Sequence, residues 1–142
     1  MQQFIIPMVA SSLAEHYRDR GFAVLLIHDD LSKHAVAYRQ IALSLRKPVG
    51  REAYPSDVFY LHARLLERAC NLSTVYCSGS IACLPVIETL SNDMSAYIAT
   101  NVVSITDGQL YFDAVLYGLG ILPAISIDKS VSRVGARSVD AF

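Results

Sequence analysis

Two adjacent carboxylates, Asp29 and Asp30, follow an apolar run at residues 23–27, with His28 between the run and the acids. Such a run predicts a parallel strand that is buried on both faces and ends at the two acids. Ligands of open α/β sheets bind at the carboxyl ends of the strands, where an acid can hold magnesium beside nucleotide phosphates. Acid pairs at strand ends also occur in receiver domains and as helix caps, so the pair alone leaves these alternatives open.

The histidines and cysteines give weaker signals. His28 lies inside the strand pattern and is predicted to be a core histidine with satisfied hydrogen bonds. The other histidines lack the spacing of metal ligands: His16, His34 and His62. The three cysteines are odd in number and form neither a C-x-x-C pair nor a zinc spacing, so reduced thiols are expected: Cys70, Cys77 and Cys83.

Three helices are predicted to position the acids. Residues 7–20 form an amphipathic pattern that leads into the strand. Asp30 can cap a second helix, which runs to about Arg46. Ser56 and Asp57 open a third, whose apolar residues recur at spacings of three and four. Two helices therefore follow one strand.

Further extended segments are expected in the second half of the chain. Residues 81–89 are apolar enough for a strand, which Pro85 confines to an edge or a bulge. The remaining predictions are strands at 102–105, 109–112 and 124–127, and turns at 91–93 and 106–108.

Composition limits the classes of function. The 142 residues suffice for about one domain, and the formal net charge of -1 argues against nucleic-acid binding. No apolar run approaches the length of a membrane span. Apolar residues make up 53% of the chain and the mean hydropathy is +0.35, so part of the surface is expected to be covered by other chains.

Eight runs of residues carry a resemblance to a known family. They are DDLSK at 29–33, AVAYRQ at 35–40, GREAYP at 50–55, DVFYLH at 57–62, RLLERA at 64–69, LPVIET at 84–89, SITDGQ at 104–109 and SVSRVG at 130–135. In this order, they resemble the alpha subunits of F-type ATP synthases. The similarity extends over nearly the whole chain.

The resemblance implies an α/β fold, namely the second half of a RecA-like P-loop NTPase domain with a mostly parallel sheet flanked by helices. Residues 1–135 would form this partial domain, and residues 136–142, which lack periodicity, are predicted to be a frayed end. No lysine of this chain follows a glycine, so the phosphate-binding run G-x-x-x-x-G-K-[ST] is absent. The P-loop half is therefore expected from elsewhere.

The resemblance also assigns roles to individual residues. Arg133 matches the arginine that alpha subunits extend to the catalytic phosphates of the neighbouring beta subunit, where a planar, permanent charge suits the transferring phosphoryl group. Asp29 matches the Walker-B acid that holds magnesium through water, whereas Asp30 is expected to be the helix cap. Four more residues are expected to line the nucleotide or the subunit interface: Ser104, Ser132, Glu88 and Pro123.

The resemblance implies Mg²⁺ with ATP or ADP as ligands, bound only with a complementary chain that carries the P-loop. The family has an arginine where this chain has Leu122 before Pro123. This departure argues against tight nucleotide binding at the chain's own site.

The leading hypothesis is a part of the alpha subunit, which is non-catalytic and regulatory, in a rotary proton-translocating ATP synthase. Its expected partners are complementary alpha-subunit pieces, beta subunits in an alternating hexamer, the central gamma stalk and the peripheral stalk. The amino terminus lacks clear targeting features, which together with the resemblance predicts the matrix side of the mitochondrial inner membrane. The alternative is a receiver-like signalling domain with a magnesium-binding acid pair, which needs a third Asp and a Lys at other strand ends.

Overall fold

A computed structural model describes residues 1–89 and 93–135. The chain is α/β, as predicted. Its elements in order are α1 (Gln2–Arg18), β1 (Ala23–His28), α2 (Leu31–Ser44), α3 (Val58–Leu66), β2 (Ser80–Pro85), α4 (Tyr97–Ile105), β3 (Gly108–Gln109), α5 (Ala114–Gly118) and β4 (Val131–Ser132), with short 3₁₀ turns at Arg51–Ala53 and Thr74–Tyr76.

Strands β1 and β2 form a parallel pair, from Ala23 opposite Ser80 to His28 opposite Pro85. One face of this pair is covered, since Leu26 and Ile81 lie beside Leu65 of α3. The other, which we call the bare sheet face, consists of Leu25, Ile27, Ala82 and Leu84 and is exposed. Leu25 is 61% exposed and Ile27 55%. The predicted burial of β1 on both faces is therefore wrong, because the described residues supply only one covering layer.

The core lies between α2, α3 and α4. Its buried residues are Leu31, Ala35, Tyr38, Tyr54, Val58, Leu61, Leu65, Leu66, Ile98 and Val102. This set confirms the predicted apolar faces of α2 and α3, except that Leu45, which was expected on the face of α2, follows the helix and is 63% exposed. Leu31 and Val58 are fully buried, and a side chain of that kind contributes about 1.5–3 kcal/mol when removed from water. This packing fixes the start of α2, where the acid pair lies.

Helix α4 replaces the strand predicted at residues 102–105. Val102, Val103 and Ile105 are β-branched, which favours strands. However, Ile98, Val102 and Ile105 recur at helical spacing and pack against the core. The burial of this helical face outweighs the strand propensity of the individual residues.

The short strands β3 and β4 form an antiparallel pair, with Gly108 opposite Ser132 and Gln109 opposite Val131. They form a second sheet, separate from the predicted parallel one, which consists of β1 and β2 within the described residues. Residues 124–127 are not a strand. They contact the segment before α5 through an isolated bridge between Phe112 and Ile125 and through a hydrogen bond of 2.9 Å from the N–H of Ser126 to the carbonyl oxygen of Tyr111. The carboxyl-terminal pairing lies at β4 instead, directly before Arg133.

Helix α1 begins at Gln2 rather than at Pro7. The additional turn is stabilised by Phe4, whose ring stacks on those of His34 and Tyr38 at centroid distances of 5.4 Å each. At the other end of α1, a Cβ atom at Gly79 would lie only 1.8 Å from the carbonyl oxygen of Arg18. Glycine at that position is needed for β2 to begin beside α1.

Two predictions fall on other parts of the chain. Residues 91 and 92 of the predicted turn and the predicted frayed end at 136–142 lie outside the described residues. Among the helices of the described ranges, none combines the length and the apolar character needed to cross a membrane.

Candidate functional site

Three carboxylates lie near one ammonium group at the carboxyl ends of β1 and β2, and one of them contacts it. The Nζ atom of Lys33 lies 2.8 Å from Oδ2 of Asp30. This hydrogen bond raises the pKa of Lys33, and the charges of Glu88 and Asp29 raise it further. The structure therefore brings together Asp29 and Glu88, which were predicted from separate parts of the sequence. Their negative charge exceeds that of the single lysine, so this edge suits a cation.

Asp30 is the cap of α2, as predicted. Its Oδ1 atom accepts a hydrogen bond of 2.7 Å from the backbone N–H of Lys33. Burial alone raises the pKa of the Asp30 carboxyl, but the hydrogen bonds from Lys33 and Ser32 outweigh it and lower the pKa overall. Both oxygens of Asp30 are thus engaged within the chain, so that Asp29 is the acid of the pair whose carboxylate is available to a ligand.

Asp29 lies exposed at the rim of a groove of about 230 Å³ between the end of β1 and helix α1. Within the described residues its carboxylate has no hydrogen bond or ion pair. No group of three possible metal ligands occurs in the described ranges either. Magnesium takes about six oxygen ligands, so Asp29 fits a water-mediated role in which phosphates and water supply most of the others.

His28 lines the same groove and is buried. Burial lowers the pKa of its imidazole, which favours the neutral ring. The prediction of a core histidine is confirmed, but that of satisfied hydrogen bonds is not: Nε2 has no partner among the residues that the structure describes.

Arg133 follows β4 and its side chain lies against the carboxyl-terminal end of α4. Nη2 donates to the carbonyl oxygen of Val103 at 2.8 Å, and Nη1 donates to that of Ser104 at 3.2 Å. A cation is favoured there because the last carbonyls of a helix are unpaired and partially negative. The residue remains exposed, so its guanidinium is accessible from outside the chain.

The two serines expected at the interface lie beside Arg133. Ser132 pairs with Gly108, and its hydroxyl accepts a hydrogen bond of 3.1 Å from the N–H of Gly135. The hydroxyl of Ser104 donates to Asn101 within α4 at 2.7 Å. Ser104, Ser132 and Arg133 therefore form one exposed cluster, which we call the Arg133 cluster.

Glu88 and Pro123 lie at separate places. Glu88 is exposed beyond the end of β2, and its backbone N–H donates to the hydroxyl of Ser32 at 3.1 Å. Pro123 lies in the exposed segment between α5 and β4, where its carbonyl accepts the N–H of Ile125 at 2.8 Å. The structure places Glu88 with Asp29 and Asp30 at the carboxyl ends of β1 and β2, which we call the acid edge, whereas Pro123 lies elsewhere, after α5.

A buried histidine pair was not predicted. Nδ1 of His34 lies 3.2 Å from Nε2 of His62, and the two residues are 1% and 0% exposed. Burial lowers the pKa of both rings, and that of His62 falls to about 4, with the nearby His34 as a second cause. Each residue lies on the apolar face of its helix, three positions after Leu31 in α2 and four after Val58 in α3, and this spacing was the signal available in the sequence.

Comparison with known proteins gives two findings. Residues 1–132 match the profile of the ATP synthase alpha/beta family, nucleotide-binding domain. A protein of Rickettsia canadensis (strain McKiel), named ATP synthase subunit alpha, is 59% identical over 134 residues, which is 94% of this chain and 26% of that relative. The chain thus spans about a quarter of the length of the relative that it matches.

Proposed function

The chain belongs to the ATP synthase alpha/beta family, and from this premise we propose that it is part of the non-catalytic, regulatory alpha subunit of a rotary proton-translocating ATP synthase. Its contribution is subunit contacts and an arginine finger for the catalytic site of a neighbouring beta subunit. The observation that carries this proposal is the 59% identity to an alpha subunit over 94% of the chain. The chemistry thus belongs to the assembled complex, and the chain is not catalytic alone.

Arg133 is the residue that we assign as the finger. The guanidinium is planar and permanently charged, so it can bind the oxygens of a transferring phosphoryl group at two points. Arg133 is exposed, and its present acceptors are two backbone carbonyls rather than a carboxylate. Hydrogen bonds from the guanidinium to negatively charged phosphate oxygens are stronger than those to neutral carbonyls, so this exchange of acceptors is favourable.

Asp29 is proposed to hold magnesium through water at the chain's own nucleotide site. The metal, when bound, shields the charge of the nucleotide phosphates. The carboxylate of Asp29 orients that water, and Glu88 adds negative charge at the same edge. A phosphate-binding loop has to come from a complementary part of the subunit, which makes binding of Mg²⁺ with ATP or ADP a property of the assembly.

The bare sheet face supports a complementary partner. Parallel sheets are covered on both faces in folded proteins, yet Leu25, Ile27 and Leu84 are 61%, 55% and 49% exposed. The accessible surface of the chain is 9743 Å², against roughly 7,200 Å² for a folded monomer of its mass. We propose that residues 1–135 form a partial RecA-like domain whose P-loop half packs onto this face.

The isolated chain is expected to aggregate or to lack cooperative structure, and to become ordered with a chain that carries the P-loop half. Exposed apolar strands associate non-specifically when their partner is missing. Analytical ultracentrifugation and circular dichroism of the chain, alone and after mixing, measure this. A compact, cooperatively unfolding monomer in the absence of any partner would overturn the proposal of a complementary chain.

Purification of the tagged chain from its source tests the function itself. We expect the chain to copurify with an alpha-subunit piece that carries the P-loop, a beta subunit and stalk subunits. Purification of the chain with none of these contradicts the proposed function. The receiver-like alternative is not favoured, because the family match extends over residues 1–132 and a receiver domain does not explain it.

The matrix side of the mitochondrial inner membrane remains our proposed location. It rests on the assignment to a peripheral part of the ATP synthase, while the relative reported above is bacterial. Cell fractionation with protease protection should place the chain with inner-membrane proteins that are released by chaotropic agents. Recovery in the cytosol would contradict this location.

A further inference from the structure

Arg133 is held by two elements at once. The backbone before it pairs with β3, and its own N–H donates to the carbonyl oxygen of Asp107 at 2.8 Å. Its side chain donates to Val103 and Ser104 at the end of α4. The end of α4 therefore contacts the guanidinium of Arg133, and Asp107, which leads from α4 into β3, contacts its backbone.

The two segments approach each other closely at Gly108. A Cβ atom at this position would lie 2.7 Å from the carbonyl oxygen of Val131 and 3.3 Å from Cα of Ser132. The first distance is shorter than any normal carbon–oxygen contact, and the obstructing atoms belong to the backbone. A side chain at Gly108 therefore has to displace β4 directly before Arg133.

We propose that Gly108 is a positioning residue for Arg133. Because Gly108 has no side chain, β4 can lie against β3, and this pairing places the guanidinium of Arg133 at the end of α4. The proposal rests on the proposed finger role of Arg133. A group that stabilises a transferring phosphoryl has to be placed within a fraction of an ångström, and a misplacement of about 1 Å can cost about 100-fold in rate.

Ser130 offers a second way to loosen β4 without adding volume. Its hydroxyl donates to the carbonyl oxygen of Ser126 at 2.6 Å and accepts the N–H of Tyr111 at 3.1 Å. The variant Ser130→Ala removes both bonds just before β4. Both variants are expected to disturb β4, Gly108→Ala by steric overlap and Ser130→Ala by the loss of hydrogen bonds.

The test is ATP hydrolysis by the assembled complex with Gly108→Ala, Ser130→Ala, Arg133→Ala and the two double variants that combine Arg133→Ala with each of the others. Gly108→Ala is expected to lower kcat about 10- to 100-fold and Ser130→Ala by less, both with little change in KM for ATP. If both act through Arg133, each double variant should be no slower than Arg133→Ala alone.

Gly118→Ala is the matched control, since a Cβ atom there has no neighbour within 4 Å. Its turnover should equal that of the wild type. Losses that multiply in the double variants, or normal turnover in both Gly108→Ala and Ser130→Ala, would overturn the positioning role. Should Gly108→Ala fail to assemble, Ser130→Ala with its double variant decides in the same way. Normal turnover in Arg133→Ala is a separate result, which removes the finger role and the positioning role together.

Discussion

Arg133→Ala should slow ATP hydrolysis by the assembled complex about 1,000-fold or more, which corresponds to about 4 kcal/mol of barrier. Alanine removes the charge that stabilises the transferring phosphoryl group. Arg133→Lys should also be much slower than the wild type, because an ammonium group lacks the planar fork that binds two oxygens. Nucleotide binding at the beta sites should change little, since the finger acts mainly in the transition state.

Steady-state hydrolysis beside equilibrium nucleotide titration of the reconstituted complexes separates these effects. Asp29→Ala is the comparison variant, because Asp29 lies at the acid edge and not in the Arg133 cluster. It should loosen magnesium nucleotide at the alpha site and cost much less turnover, because the proposed chemistry occurs at beta sites. If Arg133→Ala assembles normally and hydrolyses ATP near the wild-type rate, Arg133 is only a surface charge that caps α4.

The parts of the fold that could be predicted depend on local signals. The apolar run of β1, the cap at Asp30 and the apolar faces of α2 and α3 are each visible within one turn or one strand of sequence. Local signals conflict in helix α4, since Val102 and Val103 favour strands whereas Ile98 and Val102 stand at helical spacing. Packing of the helical face on the core decides between them. The two-residue strand β4 depends on pairing with a segment far away in the sequence.

The candidate site was predictable to a similar degree. Residue types at strand ends pointed to Asp29, and the resemblance pointed to Arg133. The acceptors of Arg133 could not be predicted, because they are backbone carbonyls of Val103 and Ser104 and any residue type carries a carbonyl. The close approach at Gly108 likewise depends on where Val131 lies in space. The histidine pair joins two helices whose relative placement the sequence pattern does not define.

The histidine pair should make the stability of the α2–α3 region fall between pH 7 and pH 4.5. Folding lowers the pKa of His62 from 6.5 to about 4 and lowers that of His34, so in this range the unfolded chain binds more protons than the folded chain. Stability is therefore fully present above about pH 6.5 and is lost as the pH falls toward 4. His62 alone corresponds to about 3 kcal/mol over its whole titration.

Other titratable groups with shifted pKa values contribute little to the change in stability between pH 7 and pH 4.5. Tyr38, which donates to Asp57 at 2.6 Å, has its pKa raised by burial and by that hydrogen bond to about 12 and does not titrate there. Carboxylates with lowered pKa, such as Glu15 and Asp30, lose their stabilising effect mainly below their ordinary values near 4. A comparison between pH 7 and pH 4.5 therefore reports on the buried histidines, which include His28 as well as the pair, and the variant His62→Gln separates the pair from His28.

Hydrogen–deuterium exchange of the α2 and α3 amides in the assembled complex, corrected for the intrinsic effect of pH on exchange, measures this loss. His62→Gln should flatten the dependence, because an amide can bond to His34 but does not titrate. His16→Gln is the matched control, since His16 is exposed on α1 and should leave the dependence unchanged. If wild type and His62→Gln lose protection equally between pH 7 and pH 4.5, the buried pair is not the group whose protonation destabilises these helices.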